Sequence, residues 1–240
     1  IPMIGPLISA LPAVLVGPLV RVPLLDLPER SLARVRCPAY RLFLSKKKSK
    51  DGKGILSSFR EACLLLEKIP DDFEEFYKNA REIYLKSSSA KITKKETLEL
   101  FSKELEISKT ETERMFKEVY HNNVTENKKL YNYILKLKES GYKIGISSIQ
   151  FHLSKDILIP KKYYENFNAL QISCEDGSRK PDKKAFKYIL KKLHVSPKES
   201  IFVDDKKNNV DAAKELGIID ILFEDNKQLI KDFKELGVKI

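Results

Sequence analysis

The chain has 240 residues, of which 42% are hydrophobic and 33% charged, with a formal net charge of +11. That is enough apolar material for one large domain, or one domain carrying an insertion. It excludes a disordered chain, a collagen-like repeat and a polytopic membrane protein. Cys37, Cys63 and Cys174 are odd in number and far apart, which argues against a disulfide framework or a zinc cluster and for a reducing, cytoplasmic setting.

The positive charge does not point to nucleic acid. Lysine outnumbers arginine 36 to 9, and between Lys94 and Lys117 the lysines alternate with glutamates. Such mixed faces are solvated helix surfaces rather than a phosphate-tracking stripe. Neither a finger spacing nor an RNP-type aromatic motif is present.

Residues 1–45 stand apart in composition. They hold no lysine, yet five of the nine arginines and seven of the eleven prolines. The stretch Ile1–Val20 is apolar and uncharged, but Pro2, Pro6, Pro12 and Pro18 interrupt it, and each proline breaks a helical hydrogen-bond ladder. Basic flanks are lacking, so it reads as an extended, loosely packed module, not a membrane anchor. Weak packing is expected for Ile1–Pro18 in particular.

From roughly 57 to 121 the pattern is helical. Phe59, Ala62, Cys63 and Leu66 recur at helical spacing, then Phe73, Phe76, Ala80, Ile83 and Tyr84 after Pro70-Asp71-Asp72. Thr93 with Glu96, and Ser108 with Glu111, are capping-box patterns that each open a further amphipathic run. The aromatic stripes of these helices read as core packing.

Beyond residue 127 strands and helices alternate. A helix over Lys128–Ser140 ends at Gly141. Apolar runs Tyr142–Ile146, Ala169–Ile172, Ser200–Val203 and Ile218–Phe223 follow, separated by helical segments, which describes a parallel sheet of βα units. Ligands of such sheets bind beyond the carboxyl ends of the strands. Ser147 and Ser148, Lys180, and the pair Asp204-Asp205 all fall at or just after such ends. Adjacent carboxylates there need a compensating charge, and Mg²⁺ is the usual partner for oxygen ligands. A hydroxyl and an ammonium beside them suit a phosphate. The combination fits phosphoryl transfer, where positioning and charge neutralisation dominate.

These residues lie in motifs that resemble those of haloacid dehalogenase (HAD) superfamily hydrolases. Gly145-Ile146-Ser147-Ser148-Ile149 is similar to the strand ending in Ser or Thr, with Ile149 in place of the frequent Asn. Gly177-Ser178-Arg179-Lys180-Pro181-Asp182 is similar to the lysine loop. Val203-Asp204-Asp205-Lys206-Lys207-Asn208-Asn209, followed by Ala212-Ala213 and Leu216-Gly217, is similar to the acidic motif. The resemblance covers roughly 57–240 and is to the phosphatase- and dehalogenase-like subgroup with a helical cap. It implies an α/β fold: a Rossmann-like parallel sheet with helices on both faces and an inserted α-helical cap. The core would comprise 46–56 and 128–240, the cap 57–127, with 1–45 outside. It further implies a Mg²⁺-dependent phosphatase of a small phosphorylated metabolite, acting through an aspartyl-phosphate intermediate. Lys180 would neutralise nucleophile and phosphate, and Ser148 would bind a phosphate oxygen. Asp204, Asp205 and the nucleophile would hold Mg²⁺. A dehalogenase would need no metal, so the acidic pair favours phosphoryl chemistry.

The nucleophile is the open position. Asp51 begins Asp51-Gly52-Lys53-Gly54-Ile55-Leu56, which fits the family's D-x-x-G-I-L, but polar residues 45–50 precede it, unlike a central strand. Asp26 follows the apolar Val22-Pro23-Leu24-Leu25 but leads into Pro28. Neither has a second Asp two residues on. The first strand could instead come from Tyr40–Leu44. Asp51 is the stronger candidate; the alternative is a catalytically impaired HAD-like binding or interaction protein. His152, just past Ser148, reads as a surface or packing histidine. A monomer or homodimer is expected, without nucleic-acid or membrane partners.

Overall fold

The short apolar runs become strands of one sheet in the computed structural model, which describes residues 13–16, 44–45, 73–123, 125–159 and 161–238. In chain order, strands β1 (Ala13–Val16) and β2 (Leu44–Ser45) precede helices α1 (Phe73–Ser88), α2 (Lys94–Glu104) and α3 (Lys109–Asn123). Then come β3 (Thr125–Glu126), α4 (Lys128–Glu139), β4 (Ile144–Ser148), α5 (His152–Leu158), α6 (Lys161–Asn166) and β5 (Ala169–Ile172). The remainder is α7 (Ser173–Asp176), α8 (Lys183–Leu193), a 3₁₀ turn at Pro197–Glu199, β6 (Ser200–Asp204), α9 (Lys207–Lys214), β7 (Ile219–Leu222) and α10 (Asn226–Glu235).

The sheet runs β5-β4-β1-β6-β7, and every pairing in it is parallel. Strands β4, β5 and β6 are buried at every residue, as a sheet covered on both faces requires. On one face α4 contributes Leu130, Ile134 and Leu137, and α10 contributes Leu229 and Phe233, to a cluster with Ile144, Ile146, Ile201 and Val203. On the other, Phe186, Ile189 and Leu193 of α8 pack with Phe202 and Ala213. The Phe186 and Phe202 rings meet edge to face at 5.0 Å, a favoured aromatic geometry.

The amino-terminal segment departs from expectation. Ala13–Val16 is the central strand, with Val16 in register with Ile146 of β4 and Val203 of β6. A strand covered on both faces needs only a short continuous apolar run, and Pro12 and Pro18 flank this one without interrupting it. Tyr40–Leu44 does not supply that strand. Leu44–Ser45 pairs antiparallel with Thr125–Glu126 in a separate two-stranded ribbon.

The helices α1–α3 follow one another without an intervening strand and lie within the segment expected to form the cap, so they are termed the cap helices. At α2 the Thr93 hydroxyl accepts from the Glu96 amide while the Glu96 carboxylate accepts from the Thr93 amide. Ser108 and Glu111 repeat this reciprocal pair at α3, satisfying helix-end donors that would otherwise be orphaned. The segment 57–72 lies outside the described residues. Among those described, no helix is long and apolar enough to cross a membrane.

Candidate active site

Strand register brings the motifs together. Ser147 lies opposite Gln171 and Ser148 opposite Ile172 across β4 and β5, while β6 ends at Asp204 two strands away, across β1. The loop after α7 turns at Gly177, whose φ of +76° is natural to glycine, and carries Lys180 back over the strand ends. Lys180 is 4% exposed and Asp204 2%. The Lys180 Nζ donates to Asp204 Oδ2 at 2.8 Å and to the Ser147 carbonyl at 2.7 Å. A buried ammonium and carboxylate are each costly alone, and these hydrogen bonds are what make the pair tolerable.

The other oxygen of Asp204 is also engaged. Oδ1 accepts from the Lys206 amide at 2.9 Å and from Asn209 Nδ2 at 3.1 Å. This explains the acidic motif's spacing: the last Asn reaches back from α9 to fix the first Asp. Asp204 therefore positions Lys180 directly. Asp205 follows at the mouth of the same loop, half-buried.

The Ser148 side chain is fully buried and hydrogen-bonded to Gln150 at 2.9 Å. Gln150 in turn is bonded to Ser154 at 2.7 Å. A parallel network supports the lysine loop. Ser147 Oγ donates to Gln171 Oε1 at 2.6 Å; Gln171 Nε2 donates to both Asp176 oxygens at 3.0 Å and to the Ser178 carbonyl at 2.9 Å. Asp176 also accepts from the Ser178 amide at 2.8 Å and from its hydroxyl. Sequence reasoning missed Gln150, Gln171 and Asp176. Their partners are set by strand register and loop closure, although a buried glutamine inside a strand is itself a signal that a partner must exist.

His152 packs between cap and core, as expected. Its amide donates to Ser87 Oγ at 3.1 Å and its Nε2 lies 3.1 Å from the Ile92 carbonyl. Burial holds its ring below the usual histidine range, against the pull of that carbonyl. Cys174, also near the strand ends, has its thiol pushed up to about 12 by burial, so it stays protonated and inert.

Lys180, Ser148, Asp204 and Asp205 thus gather at the carboxyl ends of the sheet. Asp51 and Asp26 lie outside the described residues. Asp204 at the end of β6 and Asp205 just beyond it offer only oxygen donors, which suit a hard divalent cation, although among the described residues no three metal-ligating side chains converge.

Comparison with known proteins agrees with the fold. The haloacid dehalogenase-like hydrolase family matches residues 41–217. The chain belongs to that family. It is 38% identical over 68 residues to a flavin mononucleotide hydrolase of Arabidopsis thaliana, covering 28% of each chain. It is 33% identical over 114 residues to a sesquiterpene phosphatase of Aspergillus oryzae, covering 45% of this chain and 56% of that one. The matches thus span about half or less of these relatives' own lengths. A HAD family enzyme from Bacteroides thetaiotaomicron superposes with a TM-score of 0.62 at 17% identity, over 92% of this chain and 99% of that one. The same enzyme in a magnesium complex gives 0.61. At this identity the likeness concerns the fold.

Proposed function

We propose that this HAD-like hydrolase is a Mg²⁺-dependent phosphatase of a small phosphorylated metabolite. The observation that carries the reading is the buried Lys180–Asp204 pair at the strand ends, beside Ser148 and Asp205. A fixed ammonium at this position neutralises charge on a phosphate and on an attacking carboxylate, and needs no reorganisation as the reaction proceeds. Ser148 would bind a phosphate oxygen, held in place by Gln150. Mg²⁺, when bound, supplies further charge neutralisation; Asp205 and the nucleophile would hold it, while Asp204, whose oxygens already accept from Lys180, Lys206 and Asn209, would act from behind them.

In this reading a carboxylate oxygen of Asp51 attacks phosphorus, the ester P–O bond breaks, and the leaving alkoxide takes a proton from water. Water then cleaves the aspartyl phosphate, releasing inorganic phosphate and restoring the carboxylate. The phosphatases among the relatives support the choice of chemistry.

One observation favours a second reading. The residues that follow central strand β1 are Gly17 and Pro18, neither of which carries a nucleophile. A HAD-like binding or interaction protein with impaired catalysis would be built in this way. A panel of phosphorylated metabolites assayed with and without Mg²⁺, on wild type and Asp51→Asn, separates the two. Turnover that needs both Mg²⁺ and Asp51 supports the phosphatase; its absence across the panel leaves the binding protein.

A further inference from the structure

Arg179 precedes Lys180 and faces the opposite task. While Lys180 reaches down to Asp204, the Arg179 guanidinium lies 5.8 Å from the ring centre of Tyr84 on cap helix α1. The Tyr84 ring in turn packs on Phe151 at 5.4 Å, three residues past Ser148. Arg179 therefore stands where the cap meets the phosphate-binding end of the sheet. Its Nε is buried and has no hydrogen-bond partner. Leaving a buried donor unpaired is costly, so such a group calls for an explanation.

We propose that Arg179 is a specificity-determining residue that binds a carboxylate of the phosphorylated substrate. The Nε–H and the neighbouring Nη–H form a planar fork that matches a carboxylate in spacing and in unit charge. The cation–π contact with the Tyr84 ring helps keep the guanidinium at this place. The inference rests on the phosphatase reading for the place of the phosphate beside Lys180; Arg179 adds the chemistry of the rest of the molecule, a short phosphorylated acid.

Binding of two non-hydrolysable probes tests this without requiring turnover. Propylphosphonate and 3-phosphonopropanoate differ only in the terminal carboxylate, and both are titrated calorimetrically in the presence of Mg²⁺. Wild type should bind 3-phosphonopropanoate at least tenfold tighter. Arg179→Gln should reduce that ratio to about one, Arg179→Lys should restore part of it, and Arg114→Gln on the exposed cap surface should leave it unchanged. Nine arginines give few Nε–H resonances. The one missing from Arg179→Lys should shift in wild type with 3-phosphonopropanoate and not with propylphosphonate. Equal or absent binding of the two probes by wild type, or a preference that Arg179→Gln retains, overturns the assignment. Mg²⁺-dependent hydrolysis of an aryl phosphate without a carboxylate preference would remove this inference and keep the phosphatase. A preference without hydrolysis of any ester would do the reverse.

Discussion

Lys180 Nζ sits between Asp204 Oδ2 at 2.8 Å and the Ser147 carbonyl oxygen at 2.7 Å, so one ammonium ties β4 to β6 across the central strand. Removing it should damage stability and activity by separate routes. Lys180→Ala leaves a buried carboxylate unpaired, which costs about 3–5 kcal/mol, and should lower turnover on the order of a hundredfold. Lys183→Ala and Lys184→Ala, on the exposed side of α8, should do neither. The double variant Lys180→Met/Asp204→Leu should recover much of the stability in urea denaturation while remaining inactive. Three lysine variants with equal rates would make Lys180 a structural residue only.

The two acidic residues of the motif should separate in the same way. Asp205→Asn should abolish the Mg²⁺ dependence of hydrolysis, because a neutral amide is a poor ligand for a hard cation. Asp204→Asn should lower the melting temperature more, because Lys180, Lys206 and Asn209 all converge on its carboxylate. Mg²⁺ titrations and thermal melts of both variants check this; an Asp205→Asn enzyme with wild-type Mg²⁺ response would refute the assignment.

Acid should loosen the join between cap and core. Burial favours the neutral form of His152, and nearby Lys155 opposes protonation too, while the Ile92 carbonyl, Asp156 and Glu175 pull the other way; the net value lies below 6.5. A depressed folded value means that protons bind the unfolded chain more readily. Its contribution is therefore complete above pH 6.5 and is lost as pH falls from there through the lower folded value. Urea midpoints measured between pH 7.5 and 5 should fall more steeply for wild type than for His152→Gln. Parallel curves would exclude His152 as the titrating group.

Gly177 allows the lysine loop to turn. At φ +76°, an added Cβ would also stand 3.2 Å from the Ser89 carbonyl oxygen of the cap. Gly177→Ala should cost about 1–2 kcal/mol in backbone strain alone and should raise KM and lower kcat together, since Lys180 lies three residues on. An unchanged melting temperature would show that the loop relaxes freely.

What the sequence disclosed depended on how local each signal was. The Lys180 loop and the Asp204-Asp205 motif are contiguous patterns, and β5 has the limits its apolar run suggests, Ala169–Ile172. The caps at Thr93 and Ser108 act within four residues and were equally legible. Central strand β1 was not, because four apolar residues between prolines carry no periodicity to distinguish a buried strand from a loose segment. Helices α5 and α6 are short and lack a strong start signal. The Gln171–Asp176–Ser178 network depends on which strands lie side by side, and no spacing along the chain encodes that.

Phe151 has a mechanical consequence. Its ring touches Tyr84, Phe101, Phe116 and Tyr120, with centroids 5.4, 5.9, 5.5 and 6.4 Å away, so one residue of the α/β domain is the hub around which all three described cap helices are assembled. Among the described residues, the buried side chains of these helices belong to one continuous cluster with those of the sheet. Heating should therefore give a single calorimetric transition, because the seam between the two bodies is riveted at Phe151, three residues from Ser148.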